Sequence, residues 1–136
     1  MHILVCDDDL QICKEIKNTI QTKYPNYLIS EIDDLESYYM KIKHGNEKMP
    51  DIVIMDIRWD TDDETNSDGI RMSVKLQKLY PRLKIIFLTG FIHYATEIFD
   101  ARPSAFLVKP VHEKKLYKTL DKVIDEIRRE KRDVLS

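Results

Sequence analysis

The chain has 136 residues, of which 43% are hydrophobic and 34% charged, and it therefore suits one soluble domain with one core. The formal net charge of −2 gives no general attraction to nucleic acid. No apolar stretch approaches the roughly 18 residues of a membrane span. The N-terminus, MHILVCDDD, lacks the basic and apolar regions of a signal peptide, so the expected location is cytoplasmic.

Five apolar runs along the chain predict short buried strands. In chain order they are HILVC (2–6), YLISEI (27–32), DIVIM (51–55), KIIFL (84–88) and SAFLV (104–108). The segments between and after them predict helices from about residue 10 to before Pro25, over 35–44, from about Gly69 to Tyr80, weakly near 92–100, and from about 113 to 131. Asp8 or Asp9 is the expected N-cap of the first helix. Strands that alternate with helices and carry no polar face predict an α/β fold with a parallel sheet covered on both sides.

Polar side chains follow four of the five predicted strands. The first strand ends at Asp7 and Asp8, the third at Asp56, the fourth at Thr89 and the fifth at Lys109. In an open parallel sheet, functional residues collect beyond the carboxyl ends of the strands, so these five residues are expected to converge on one edge. Each one alone reads as a helix cap, a turn residue or a surface lysine. Their combination on successive strand ends favours a functional site.

The residue types at this edge restrict the chemistry. Three carboxylates repel one another unless a cation joins them, and hard oxygen ligands suit Mg²⁺, for which Mn²⁺ could substitute. A carboxylate beside such an ion, here Asp56, can attack phosphorus and form an aspartyl phosphate. Lys109 and the Thr89 hydroxyl can each contact an oxygen of the phosphoryl group.

Five motifs, ILVCDDD, DIVIMDI, SDGI, IIFLTG and AFLVKP, resemble the receiver domain of bacterial two-component response regulators, from Ile3 to about Ile127. The resemblance implies a flavodoxin-like, doubly wound, five-stranded parallel sheet in the order 2-1-3-4-5 with five helices. It implies a receiver domain over 1–128, and leaves 129–136 as a charged tail or a linker toward a possible output domain. The segment YATEIFDARPSAFLVKPV is similar to receivers attached to LytTR-type DNA-binding domains.

The resemblance also assigns a phosphoryl and metal site. Asp56 is expected to be the phosphoacceptor, and Asp7 and Asp8 are expected to hold Mg²⁺ together with Asp56 and the backbone carbonyl of Arg58. Lys109 is expected to contact the phosphoryl group. Such a domain is not a turnover enzyme, because it catalyses only its own aspartyl phosphorylation and dephosphorylation.

The resemblance also assigns residues to the conformational change that would follow phosphorylation. Thr89 is expected to be the switch hydroxyl, Phe106 the switch aromatic, and the bond from Lys109 to Pro110 is expected to be cis. The side chains of Arg58 and Phe91 stand where the family modulates phosphoryl lifetime, and a bulky Phe91 predicts slow self-dephosphorylation.

The resemblance implies two partners. One is a sensor histidine kinase that docks near the first helix, and the other binds a surface that phosphorylation changes. That surface comprises the fourth helix, the fifth strand and the fifth helix of the family's fold, and it would serve a homodimer or a transcriptional output domain. DNA would be contacted only through such an output domain, since no basic recognition helix is evident.

The chain departs from the family's pattern after the phosphoacceptor. Trp59 and Asp60 stand where Met-Pro is usual, and the path from Asp56 to Gly69 is about five residues longer. The acidic residues over 60–66 are expected to form a solvated loop, with an acidic lid as the alternative. Two other functions remain open. An aspartate-nucleophile phosphatase would need a second Asp where this chain has Arg58, and a pseudo-receiver would never take phosphate.

Overall fold

A parallel sheet of five strands forms the centre of the molecule in the computed structural model, which describes residues 1–59, 63, 66–90 and 101–135. The strands lie in the order β2-β1-β3-β4-β5 and all neighbouring pairs are parallel. The elements in chain order are β1 His2–Cys6, α1 Leu10–Lys23, β2 Leu28–Ile32, α2 Leu35–Lys43, β3 Ile52–Asp56, α3 Asp68–Leu79, β4 Lys84–Thr89, β5 Ala105–Val108 and α4 Glu113–Leu135. The predicted sheet and strand order are confirmed.

Both faces of the sheet are covered, because successive strand side chains point to opposite sides. On β1, Ile3 and Val5 face α1 and α4, while Leu4 and Cys6 face α2 and α3. The central strand β3 is buried along its whole length, as the unbroken run IVIM predicted. Each face therefore has its own apolar cluster, and the polar strand ends are left to face the rim.

Four of the five expected helices agree with the structure, with shifts at their ends. Asp9 is the N-cap of α1, since its Oδ1 accepts hydrogen bonds from the backbone N–H groups of Gln11 and Ile12 at 3.0 and 3.4 Å. This leaves Asp8 outside the cap. The structure describes four helices and not the five expected, and the remaining one was predicted near 92–100, which lies outside the described residues.

The last helix continues beyond its predicted end near residue 131. Helix α4 runs from Glu113 to Leu135 without a break, so the charged tail expected from 129 onward is helical through Leu135. Its buried residues end at Ile127, and beyond that point Val134 is 61% exposed. The division at 128 stays a prediction. Within the described part of the chain, no helix combines the length and apolarity that crossing a membrane requires.

The two ends of α4 are expected to contribute unequally to stability. Leu120 is fully buried against the sheet, so Leu120→Ala should lower the free energy of unfolding by about 2–5 kcal/mol. Val134→Ala on the exposed end is the matched control and should change it by less than about 0.5 kcal/mol. Urea unfolding of both variants measures the difference. An equal loss for Val134→Ala would contradict the assignment and would show that the end of α4 is packed against another surface.

Candidate functional site

Three carboxylates meet at the carboxyl edge of the sheet. Asp7 and Asp8 follow β1 and Asp56 ends β3, and these strands are neighbours in which Cys6 pairs with Met55. One ligand oxygen from each of the three acids lies within 4.8 Å of the others. Asp7 and Asp56 are buried, at 0% and 4% exposure, whereas Asp8 is exposed. The strand geometry therefore builds an acidic cluster that reaches solvent on the side of Asp8.

Lys109 enters the cluster from β5. Its Nζ lies 2.8 Å from Asp7 Oδ2 and 3.4 Å from Asp56 Oδ2. Its backbone N–H donates to the Thr89 carbonyl at 2.9 Å, and the following bond to Pro110 is cis. The other oxygen of Asp7, Oδ1, accepts from the backbone N–H of Asp9 at 2.9 Å, which fixes the carboxylate toward the lysine. The ammonium group of Lys109 thus forms ion pairs with two buried carboxylates, Asp7 and Asp56.

The pKa values of Asp56, Asp8 and Lys109 are all raised from their ordinary values. Burial, and then the charge of Asp7, raise the pKa of Asp56 to about 7, although Lys109 acts to lower it. The pKa of Asp8 is also raised, by partial burial and then by its hydrogen bond and repulsion with Asp7. For Lys109, partial burial acts to lower the pKa, but the hydrogen bond to Asp7 and the charge of Asp56 outweigh it and the pKa is raised.

These shifts indicate that the cluster fits a divalent cation. The ionised form of Asp56 is disfavoured first by burial and then by the negative charge of Asp7, which Lys109 offsets only in part. All three side chains offer carboxylate oxygens, which are the ligands of hard cations such as Mg²⁺. Asp7, Asp8 and Asp56 are the residues that would hold such an ion.

The remaining predicted site residues lie around this cluster. Thr89 ends β4 and is buried, one residue beyond Leu88, which pairs with Asp56. Phe106 lies on β5, is 41% exposed, and its ring centroid is 5.9 Å from that of Phe87. The expected metal contact of the Arg58 carbonyl and the expected lifetime roles of Arg58 and Phe91 stay predictions. Phe91 lies outside the described residues.

Two residues that the sequence did not assign to the site contact the segment after Asp56. The indole Nε1–H of Trp59 donates to the Asp56 carbonyl at 2.7 Å. The side-chain Oδ1 of Asn66 accepts from the backbone N–H groups of both Trp59 and Asp68, each at 3.0 Å. The available signal was the tendency of Asn side chains to bond nearby backbone in turns, and it did not specify Trp59 as the partner.

The glycine of the SDGI motif allows α3 to approach the site closely. A Cβ atom on Gly69 would lie 1.9 Å from the Asp56 carbonyl oxygen, and the Gly69 backbone N–H donates to the Ile57 carbonyl at 3.0 Å. No side chain fits between α3 and the end of β3 without movement of the backbone. Gly69 therefore sets the distance between the helix and the strand that carries Asp56.

The comparisons agree with this geometry. The family model described as the response regulator receiver domain matches residues 3–121. The chain is 22% identical over 127 residues to the sensory transduction protein LytT of Enterococcus faecalis. This match covers 93% of this chain and 49% of that protein. It is 26% identical over 122 residues to LytT of Bacillus cereus, with 90% and 46% covered. The resemblance to receivers is confirmed, and the LytT matches agree with the LytTR-type likeness. The chain spans about half the length of these curated relatives.

Solved structures show the same fold. A CheY-like receiver domain protein from Methanospirillum hungatei superposes with a TM-score of 0.77 at 23% identity, covering 95% of this chain and 97% of that one. The response regulator TrrA of Thermotoga maritima, solved in complex with Mg²⁺ and BeF, gives a TM-score of 0.71 at 26% identity, covering 90% and 97%.

Mg²⁺ binding is expected to weaken as the pH falls. Protonation of Asp56 removes a ligand, so below its pKa of about 7 the Mg²⁺ affinity should fall by about tenfold per pH unit and should level off above it. Calorimetric titration across this range measures the slope. An Mg²⁺ affinity that does not change with pH would contradict the raised pKa of Asp56.

In the metal-free protein, the raised pKa of Asp56 lowers the free energy of unfolding as the pH rises from the ordinary pKa of 3.8 to about 7. Over this range the Asp56 carboxyl of the unfolded chain has lost its proton, whereas that of the folded chain keeps it.

Gly69→Ala is expected to disturb both folding and the metal site. The added Cβ would overlap the Asp56 carbonyl, so the variant should lose about 1–3 kcal/mol of stability and bind Mg²⁺ more weakly than the native chain. Gly90→Ala, at the same edge of the sheet, is the matched control, since among the described residues no atom lies within 4 Å of its added Cβ. Urea unfolding and Mg²⁺ titration compare the two. Indistinguishable behaviour would show that α3 does not press on the end of β3.

Proposed function

Because the chain belongs to the response regulator receiver domain family, we propose that it is a phosphorylation-dependent switch whose Asp56 accepts a phosphoryl group from a sensor histidine kinase. The observation that carries this proposal is the meeting of Asp7, Asp8, Asp56 and Lys109 at one edge of the sheet. The family supports the switch, and the local geometry supports Asp56 as the residue that takes the group.

The transfer uses the carboxylate of Asp56 as nucleophile. One carboxylate oxygen bonds to phosphorus while the bond from phosphorus to the donor breaks, and the donor leaves with the electron pair, as the imidazole of a histidine or as acetate. The product is an acyl phosphate on Asp56. Mg²⁺, when bound, neutralises charge on the phosphoryl oxygens and keeps Asp56 ionised.

Lys109 and Thr89 are proposed to hold the transferred group. Lys109 already lies between Asp7 and Asp56, so a small displacement of its ammonium group reaches a phosphoryl oxygen on Asp56. The pKa of Lys109 is raised, which keeps the group charged at neutral pH. Thr89 ends the neighbouring strand and supplies a hydroxyl for another oxygen. Asp56 accepts the phosphoryl group, and water later hydrolyses it from the same residue. The domain therefore acts only on itself and is not a turnover enzyme.

The kinase is proposed to dock over α1 next to the site. A groove of about 440 Å³ lies between α1 and the start of α4, with Ile12, Ile16 and Val111 in its apolar lining and Lys109 at its border. An apolar groove that borders the phosphoryl-binding lysine suits a helical partner that presents a phosphohistidine. This groove supports the choice of α1 as the docking element.

The output is proposed to involve β5 and α4, which are the fifth strand and the fifth helix of the family's fold, together with the fourth helix, which was predicted near 92–100 and lies outside the described residues. Phe106 is partly exposed on β5 beside Phe87, so an inward turn of its ring would change the surface of this edge. Such a change would shift the population between two packings and alter affinity for a second copy or for a transcriptional output domain. The relatives are about twice as long as this chain, which supports an attached output domain, and DNA would be contacted only there.

Intact mass spectrometry after incubation with acetyl phosphate and Mg²⁺ tests the proposal. The native chain should gain one phosphoryl group, and Asp56→Asn should gain none. Asp63→Asn, which removes an exposed acid outside the cluster, is the matched control and should gain the group as the native chain does. Omission of Mg²⁺ from the incubation should suppress the gain of the phosphoryl group.

A native chain that gains no phosphoryl group from acetyl phosphate or from a histidine kinase would contradict the proposal and would favour the pseudo-receiver. A gain that persists in Asp56→Asn would contradict the assignment of the acceptor and leave the family's function standing.

A further inference from the structure

We propose that Trp59 is a positioning residue for the metal and phosphoryl site, and that Asn66 holds it in place. This inference rests on the proposed function and deepens it, because it names the residues that take over the loop after the phosphoacceptor. It is carried by a chain of hydrogen bonds from the Asp56 backbone to α3.

Trp59 closes a tight turn on the residue that carries the reactive carboxylate. Its Nε1–H donates to the Asp56 carbonyl at 2.7 Å, across three residues of chain. The indole is partly buried and packs against the cluster of α2 and α3, so the ring is held by apolar contacts as well as by the hydrogen bond. The turn includes Arg58. The ring therefore restrains the backbone from Asp56 to Trp59.

Asn66 joins the two ends of the long loop. Its Oδ1 accepts from the backbone N–H of Trp59 and from that of Asp68, both at 3.0 Å. Its Nδ2 donates to Asp68 Oδ2 at 3.1 Å, and the other oxygen of Asp68 is paired with Arg71 at 2.5 Å. The residues on either side of the acidic insertion are thus tied together by one side chain. We call this pair of residues, Trp59 and Asn66, the loop clasp.

The Asp56 carbonyl is enclosed from two sides. The indole of Trp59 approaches it at 2.7 Å, and the backbone of Gly69 lies so close that an added Cβ would be 1.9 Å away. A carbonyl held by both contacts cannot rotate without displacing the ring or the helix. The peptide group after Asp56 is consequently fixed, and with it the direction in which the Asp56 side chain leaves the strand.

This arrangement explains how a long insertion after Asp56 is compatible with the cluster of Asp7, Asp8, Asp56 and Lys109. The clasp brings Trp59 and Asn66 into contact, so the insertion between them begins and ends at one point. The positions of Asp7, Asp8 and Lys109 come from β1 and β5, whereas the position of the segment after Asp56 comes from the clasp. Breaking the clasp should therefore loosen one side of the site and leave the other intact.

The test removes the indole N–H and measures Mg²⁺ binding by the folded protein. Trp59→Phe keeps an aromatic ring but loses the donor, and replacement by a benzothiophene analogue of tryptophan removes the donor with the ring shape kept. Both should weaken Mg²⁺ binding by roughly threefold to tenfold, the worth of one hydrogen bond. Asn66→Ala should weaken it by a similar factor. Trp59 is the only tryptophan, so its indole N–H gives a single nuclear magnetic resonance signal, which should exchange slowly in the native chain and faster in Asn66→Ala.

Ile42→Val is the matched control for a purely structural effect. Ile42 is buried in the same apolar cluster but lies on α2, and the lost methyl group should lower stability by an amount comparable to that of Trp59→Phe. Its Mg²⁺ affinity should equal that of the native chain. If both Trp59 variants bind Mg²⁺ within twofold of the native chain while folded, the positioning role is wrong and Trp59 is only a packing residue.

The failure of the proposed function gives a different result. A native chain that binds Mg²⁺ but gains no phosphoryl group overturns the switch, while the Mg²⁺ affinities of the Trp59 variants still decide the positioning role. A native chain that binds no Mg²⁺ overturns the positioning role together with the metal site.

Discussion

The chemistry available at the site depends on the negative charge that β1 and β3 bring together at one edge of the sheet. Asp7 and Asp56 are both buried there, and Lys109 is the cation that contacts both. Burial raises the pKa of Asp56, the negative charges of Asp7 and Asp8 raise it further, and the contact with Lys109 offsets these effects only in part. The site is therefore less stable on its own than with added positive charge. The negative charge of the cluster therefore favours a divalent cation, whose charge would offset it.

The sheet supplies the rigidity that keeps this unfavourable arrangement in place. β3 is buried on both faces, and its neighbours β1 and β4 hold it through parallel ladders. The apolar contacts along these strands stabilise the fold by far more than the repulsion at their ends costs it. The acids cannot separate to relieve their repulsion, because each is attached to the end of a packed strand. Burial of the strands and charge repulsion at their ends are thus two consequences of the same topology.

The sequence was sufficient for the fold and for most of the charged cluster. Apolar runs such as DIVIM predict buried parallel strands, and parallel strands place their ends on one edge, so Asp56 and Lys109 could be brought together without coordinates. The N-cap was ambiguous between Asp8 and Asp9, because both precede the helix and only the backbone conformation decides. The extension of α4 beyond its predicted end near residue 131 could not be inferred, since the charged end of the chain carries no apolar face that a core would require.

The clasp of Trp59 and Asn66 could not be predicted in the same way. Its hydrogen bonds join residues on opposite sides of a loop, and the contact between them depends on the path of the chain and not on any local period. The sequence showed only that Trp59 occupies an unusual position. Gly69 was part of a recognised motif, but the reason for it, the approach of α3 to the Asp56 carbonyl, appears only when the helix is packed against the strand.

Strand β4 gives the proposed switch a short path from the site to the surface. Leu88 pairs with Asp56 on one side, and Phe87, the preceding residue, pairs with Phe106 on the other side. Thr89 ends the same strand, so a displacement of its hydroxyl toward a phosphoryl group acts on a segment that already contacts the half-exposed ring of Phe106. No long-range pathway is needed, because Asp56 and the ring of Phe106 are separated by a single strand. Two packings of that strand end would be enough to couple charge at Asp56 to the exposed surface of β5.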